Sequence, residues 1–528
     1  MRMLHFSYEK ENAEAAEKIL LFSGIALFVI FCIWNVYYLP MNMDEALIYH
    51  RLACSSHPFS FLHVFREDCL DAHRLTSAMG FGMDRPYAYV GPLQGLLYAP
   101  VYYAFNSVYA QYWFALPFLL LFVWLMARET DNPLRSWPLF LVCLPLVLKF
   151  IHDDGVLKII AITFPLAAIA VRRMLNSEGA MHYLYALFLS AMVLLNIIDK
   201  VYFIYLLPAF VFFSLAFTGD EKWASLLAKL QKSAYTVVCM AVVLGLLLLV
   251  HLFSRTSTNE YYFLWLLDNA QEKKSFEELF KSFVAYTLYW PSYAHRSLSM
   301  SFSSGPVWFF ETLAGAWFVL CAVVGFKSKE KIKTRLSLRT TMLLLSILSM
   351  VVVFLVFRNV WAAHHFMYLW MPGLMLIADM LARLRHQWLI GVVGGFFALN
   401  LMALIYMMES PISWAESRDR DAIFEYLSNS VPAEKSIVNF SSWGGYYIYS
   451  LYAPKNQVVT YMDLIKPEDG NKMLAISMAT GRKIYNVCSG PWCNEVFIGQ
   501  FFNNQLKFTN ALPGLLVWRV YSGEPLYK

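Results

Sequence analysis

Residues 180–217 read AMHYLYALFLSAMVLLNIIDKVYFIYLLPAFVFFSLAF. Two apolar runs, 181–198 and 201–217, are split by one charged dipeptide, Asp199-Lys200. Crossing the hydrocarbon core of a bilayer takes about 20 mostly apolar residues, with a usable range of roughly 17–25. Each run is long enough for one crossing, so the stretch reads as a membrane hairpin with its charges at the tip.

Working outward, comparable windows lie at 17–39, 108–127, 136–151, 156–172, 233–253, 306–326, 340–357, 364–382 and 388–408, which makes eleven expected spans. Those at 136–151 and 156–172 are short enough to be tilted or re-entrant. The run PLQGLLYAPVYYAFNS at 92–107 is apolar but cut by two prolines, and reads as a half-buried helix or loop. Composition agrees: the 528 residues are 59% hydrophobic and 15% charged, against about 45–50% and about 25% in soluble proteins. Mean hydropathy is +0.49. With 24 Gly, 21 Pro and 8 Cys the chain is neither collagen-like nor a disulfide scaffold. Its 16 Trp, 32 Tyr and 42 Phe suit long membrane–water borders. A net charge of +5 is small for this length, so nucleic acid is not an expected partner.

Lys and Arg favour cytoplasmic loops, which orients the spans. With a cytoplasmic N-terminus the inside segments are 1–16, 128–135, 173–180, 218–232, 327–339 and 383–387. One of them, KSKEKIKTRLSLR at 327–339, holds six of the 42 basic residues. Others carry Arg172-Arg173, Lys222, Lys229, Lys232, Arg383 and Arg385, whereas the long outer loops 40–91 and 254–305 hold only four and five. The opening MRMLHFSYEKENAEAAEK is too long and too acidic for a signal-peptide start, so the first span is expected to stay as an anchor. The expected fold is thus a polytopic α-helical membrane domain over 1–408 and a small extracytoplasmic α/β domain over 409–528. That domain opens with the helix-like DAIFEYLSNS at 421–430. Strand-like runs follow: SIVNF (436–440), QVVTYM (457–462), EVFIG (495–499) and LLVWRVY (515–521). Cys32, Cys143, Cys239 and Cys321 fall in or beside spans and read as small apolar residues. Cys54 with Cys69, and Cys488 with Cys493, are same-segment pairs on the oxidising side, where disulfides are an open alternative to free thiols.

Charges are costly at the membrane, so ionisable groups there are functional candidates. LPMNMDEALIYHRLAC at 39–54 places Asp44 and Glu45 just after the first span; a plain helix start would also use such a pair. FIHDDGVLK at 150–158 places Asp153 and Asp154 in a short outer turn, for which an Asp-Gly turn is the bland alternative. Asp199 and Lys200 could simply pair with each other. FRNVWAAHHFMYLWMPG at 357–373 adds Arg358, His364 and His365 in another outer turn. Adjacent histidines do not make a spaced ligand set, so no metal is expected. Together, acids and cations gather on one face. Carboxylates there can activate a hydroxyl and cations can hold an anionic group.

This order of features resembles the GT-C glycosyltransferases: a span, then Asp-Glu in a large outer loop, an acidic second turn, many spans and a small outer domain. Within them it is most similar to the aminoarabinose transferase and protein O-mannosyltransferase group. The matching stretches are PLQGLLYAPVYYAF with the span ending LMARET, DKVYFIYLLPAF at 199–210, HHFMYLWMPGLMLIA at 364–378 and IVNFSSWGGYYIYSLYAPKNQVVTYMD at 437–463. The resemblance implies Asp44 as catalytic base with Glu45 beside it, and Asp153 or Asp154 as the second acid. It implies Lys200 and Arg358, with His364 and His365, as contacts for a donor phosphate. His50, Asp84, Arg85, Trp443 and Tyr446 are the implied acceptor or groove residues. Two departures stand out: HHFMYLW lacks the Arg that relatives carry beside Tyr, and the first loop is unusually polar, with Asp68, Asp71 and Arg74 preceding Asp84-Arg85. The implied activity moves a sugar from a polyprenyl-phosphate donor to a hydroxyl of a lipid, glycan or protein at the outer face of a bacterial inner membrane, with no cofactor. The rivals are an oligosaccharyltransferase-like enzyme, whose tandem Trp-Trp-Asp is absent, and a transporter, which would place polar residues at mid-span.

Overall fold

A computed structural model describes residues 15–30, 110–130, 156–199, 203–219, 222–254, 337–356, 367–382, 411–441, 456–462, 467–489 and 493–525, with isolated positions between them. They fall into two compact units, whose main bodies are Tyr112–Tyr406 and Met407–Lys528.

The first unit is helical. After a helical run over 15–30 come α1 (Ala110–Arg128), α2 (Val156–Asn176), α3 (Ala180–Asp199), α4 (Phe203–Leu215), α5 (Trp223–Lys232), α6 (Ala234–Ser254), α7 (Leu338–Val356) and α8 (Met367–Ala382). Prolines 117, 165, 208 and 372 sit inside α1, α2, α4 and α8. Membrane helices tolerate this because neighbouring helices and local adjustments satisfy the freed backbone groups. Among the described residues, Ala180–Ile197 of α3 is long and apolar enough for a crossing, at mean hydropathy 1.6 with only 28% of it buried. Leu184 and Leu187 are 54% and 68% exposed, as lipid-facing residues are. Trp223–Lys232 and Ala234–Leu246 pass together but are bent by 61°, and Leu116–Arg128, Tyr205–Leu215 and Leu338–Val353 are shorter apolar helices. The segment 218–232, expected as a loop, thus contains α5.

Helices α2, α3 and α4 pack around Phe164, whose ring centroid lies 4.8 Å from that of Phe210, 5.2 Å from Phe213 and 6.4 Å from Phe203. Buried Thr163 and Asn196 hydrogen-bond across α2 and α3 at 2.9 Å. Ser346 of α7 donates to the Ala209 carbonyl of α4 at 2.8 Å.

The second unit is α/β: α9 (Pro411–Asn429), β1 (Ser436–Phe440), β2 (Val458–Tyr461), α10 (Pro467–Thr480), β3 (Lys483–Ser489), α11 (Glu495–Phe501), β4 (Leu506–Asn510) and β5 (Trp518–Pro525). The sheet order is β2-β1-β3-β5-β4. β1 runs parallel to β2 and β3, while β5 runs antiparallel to β3 and β4. One face carries Ile437, Val458 and Ile484 against Met473 and Leu474 of α10 and Ile498 and Phe501 of α11. On α9, Phe424 stacks near Tyr449 at 5.2 Å, and Tyr449 lies 5.5 Å from Phe440 of β1.

Three expected strands form, but EVFIG is the start of α11, not a strand. Asn494 accepts a hydrogen bond from the Phe497 amide and caps the helix, and Glu495 places a carboxylate in its first turn. β3 and β4 are additional strands. β3 carries the polar Asn486 inside a run buried on both faces, and β4 alternates Leu506 and Phe508 inward with Lys507 and Thr509 outward over only five residues.

Candidate functional site

Of the site residues read from the sequence, Tyr446 is described: its side chain is fully buried in the second unit. Asp44, Glu45, His50, Asp84, Arg85, Asp153, Asp154, Lys200, Arg358, His364, His365 and Trp443 lie outside the described residues, as do Cys54 and Cys69. What the structure settles is which helix ends belong together.

Arg339, at the start of α7, grips Asp379 near the end of α8 through two parallel bonds, Nε to Oδ2 at 2.8 Å and Nη2 to Oδ1 at 3.0 Å. Its Nη1 donates to the Glu129 carbonyl just past α1 at 2.8 Å, and its guanidinium stacks 4.8 Å from the Phe217 ring just past α4. Such a fork is the geometry in which arginine binds a carboxylate most strongly. Arg172, near the end of α2, pairs with the Glu129 carboxylate at 3.5 Å. His182, in the first turn of α3, bonds the Met174 carbonyl of α2 and the Thr236 hydroxyl of α6, both at 2.9 Å. Lys229 of α5 donates to Asn176 at 2.7 Å. Lys232 bonds Glu178, and this hydrogen bond, followed by the lysine's charge, holds the Glu178 carboxyl below the usual range.

These contacts gather the C-terminal ends of α1, α2, α4 and α8 with the N-terminal ends of α3, α6 and α7 at one face. Helices α2, α3 and α4 therefore alternate in direction, as do α7 and α8, and the start of α2, the end of α3, the start of α4, the end of α7 and the start of α8 belong to the opposite face. In the sequence, 153, 154, 200, 358, 364 and 365 each lie within three residues of one of those opposite ends.

In the second unit, Cys488 and Cys493 are disulfide-bonded, with Cα atoms 5.4 Å apart, which resolves the open alternative at this pair. Arg519 donates to the Cys493 carbonyl at 3.0 Å. The Asp419 carboxylate, fully buried, accepts from the backbone amides of Leu516, Val517 and Trp518 at 2.7, 2.6 and 3.2 Å, which ties α9 to the start of β5. Asn439 of β1 donates to Asn486 of β3 at 2.6 Å, both fully buried. Burial pushes the Tyr449 phenol up, against weaker lowering by its bonds to Ser428 and Gln457. Among the described residues no cluster of His, Cys, Asp or Glu has the makings of a metal site.

Sequence reading missed Arg339–Asp379, Asp419 and the asparagine pair. A signal existed for Asp379, the sole acid within MYLWMPGLMLIADMLA, whose place in an apolar helix marks it for pairing.

A helical domain followed by a mixed α/β unit is the architecture of a polytopic membrane protein with a small appended domain. The chain is similar to ArnT from Cupriavidus metallidurans in its crystal structure bound to undecaprenyl phosphate. There the TM-score is 0.55 at 11% identity, over 94% of this chain and 97% of that one. The crystal structure of the same ArnT in the apo state gives a TM-score of 0.47 at 13% identity over the same shares. No protein-family model matches the sequence, and no curated protein matches it. The likeness establishes the fold.

Proposed function

We propose that the chain is an inverting glycosyltransferase that moves a sugar from a polyprenyl-phosphate donor to a hydroxyl of a lipid, glycan or protein acceptor. The observation that carries this reading is the placing of helix ends. Asp153, Asp154, Lys200, Arg358, His364 and His365 all adjoin, in sequence, ends opposite the Arg339 face, and Asp44 and Glu45 follow the first expected span in sequence. The GT-C-type fold and the undecaprenyl phosphate bound to the solved ArnT support the donor class. Inside-facing Lys and Arg put the reaction at the outer face of a bacterial inner membrane, with the N-terminus cytoplasmic. The Cys488–Cys493 disulfide supports an extracytoplasmic second unit, since such bonds persist in oxidising compartments.

In this mechanism Asp44 removes the proton as the acceptor O–H bond breaks, with Glu45 beside it. The acceptor oxygen bonds the anomeric carbon on the side opposite the phosphate, through an oxocarbenium-like transition state. The bond from that carbon to the phosphate oxygen breaks, and its electron pair leaves with the lipid phosphate. Lys200 and Arg358, with His364 and His365, hold the departing charge. Asp153 and Asp154 form the second acidic site, and His50, Asp84, Arg85 and Trp443 line the acceptor side. Tyr446, implied on the same side, is buried in the second unit and would act as a support for it and not as a direct contact. One displacement inverts the anomeric centre, and no metal is required.

The test is incubation of the purified protein with radiolabelled polyprenyl-phosphate sugars and membrane extract. Label is expected to pass to one extract component, unaffected by EDTA, and Asp44→Asn is expected to abolish transfer while thermal unfolding stays unchanged. A folded Asp44→Asn enzyme with normal turnover removes Asp44 from the role of base.

A further inference from the structure

The contact face described above has a second feature. α5, WASLLAKLQK, is preceded by Lys222, which makes no side-chain cap to the helix. At helical spacing Lys222, Lys229 and Lys232 share one side, and Trp223, Leu226, Leu227 and Leu230 share the next. Leu226 is buried against the protein, but Trp223 and Leu227 are 46% and 52% exposed. Ten residues span about 15 Å, half a bilayer core, so α5 does not cross a membrane. Its axis departs from that of α6 by 61°. Where α6 runs across the bilayer at an ordinary tilt of about 20°, α5 is inclined roughly 40–80° from the bilayer normal, too oblique and too short to continue the crossing.

Large exposed aromatics mark the same level. Trp124 lies one turn before the end of α1, under the Arg128 guanidinium. Tyr183 is in the first turn of α3, Trp223 begins α5, and Tyr235 is the second residue of α6. All four are exposed. Trp and Tyr concentrate where hydrocarbon meets headgroups, so this ring places α5 at that boundary.

The nearby charge is positive by a small margin, with the lysines gathered on the helix itself. Lys222, Lys229, Lys232, Arg172 and Arg173 stand against Glu178 and Glu129, each already paired to one of these cations. Asp220 and Glu221 precede the helix in sequence. Lysine stems lie along apolar surface while their ammonium groups reach the headgroup layer.

We propose that α5 is a membrane-surface helix that seats anionic phospholipid: Trp223 and Leu227 enter the acyl boundary while Lys222, Lys229 and Lys232 bind headgroup phosphates. This rests on the membrane fold and is independent of the transferase reading.

The full chain, purified in a non-ionic detergent, is offered equal amounts of phosphatidylglycerol and phosphatidylcholine, and retained lipids are counted by native mass spectrometry. Phosphatidylglycerol is expected to be preferred, less so at high salt. Lys222→Gln is expected to lower the preference by up to about five-fold. Lys222→Gln/Lys229→Gln/Lys232→Gln is expected to bring it close to parity, with glutamine still able to donate to Asn176 and Glu178. Equal retention by the wild type overturns the proposal. So does an unchanged preference in Lys222→Gln, which removes an exposed charge that caps nothing. A lipid-free dimer joined through this face overturns it as well, by assigning α5 to a second copy.

Discussion

Arg339 ties four helix ends to one point, and the cost of losing it follows from what it leaves behind. The Asp379 side chain is only 9% exposed and spends both oxygens on the guanidinium. Removing the arginine takes both guanidinium bonds from a buried carboxylate and one from the Glu129 carbonyl. Breaking a buried pair from one side typically costs about 3–5 kcal/mol. Arg339→Ala is therefore expected to lower the thermal midpoint in detergent by several degrees. Arg339→Met combined with Asp379→Leu should recover much of the loss, because replacing both partners with apolar groups removes the stranded charge. A double variant no better than Arg339→Ala would mean that the stacking on Phe217 and the bond to Glu129 carry the stability instead.

In the second unit α10 meets the backbone of α11 at Gly470. A Cβ at this position would run into the Phe501 carbonyl oxygen at the end of α11. In an open helix interior Gly→Ala gains about 0.5–1 kcal/mol. Here the sign should reverse, and Gly470→Ala is expected to destabilise this unit, read as earlier proteolysis of 411–525 under thermal challenge. An equal or later cleavage would show that α11 shifts freely. The same region shows why some elements were legible in the sequence and others were not. The hairpin of α3 and α4 announces itself because 36 nearly uninterrupted apolar positions have no polar alternative. EVFIG has strand composition, yet one cap from Asn494 and the burial of Ile498 and Phe501 make it helical. β3 hides because its interior Asn486 is satisfied only by Asn439, 47 residues away in the chain. α5 hides because its lysines read as a solvated loop until the bend at Ser233 and the exposed Trp223 are seen together. The candidate acids and cations were legible as a group because each interrupts or borders an apolar run. Asp419 was not, because nothing local distinguishes it from Asp421 and its three amide donors lie nearly a hundred residues on.

At the scale of the whole molecule the gathering of helix ends at one face turns a local question into a global one. If Lys222, Lys229, Lys232 and Arg339 face the cytoplasm, the ends beside 153–154, 200 and 358 face outward. The orientation then stands or falls as a unit, because the Arg339, His182 and Arg172 contacts link these helix ends to one another in overlapping sets. Two exposed positions read it out without touching those contacts: Lys222 on the lysine-rich face, and Glu468 at the start of α10. With Cys32, Cys54, Cys69, Cys143, Cys239 and Cys321 replaced by serine, a membrane-impermeant maleimide in intact cells is expected to label Glu468→Cys and to spare Lys222→Cys until the membrane is opened. Cys488 and Cys493 do not compete for the reagent because they are bonded to each other. The reverse pattern would turn the lysine-rich face outward, against the distribution of Lys and Arg along the chain. It would also place the candidate acids in the cytoplasm, where the proposed outer-face transfer cannot occur. Labelling of Lys222→Cys and Glu468→Cys alike would place both positions on the outer side, and the cytoplasmic assignment of the Arg339 face would fail on that result alone.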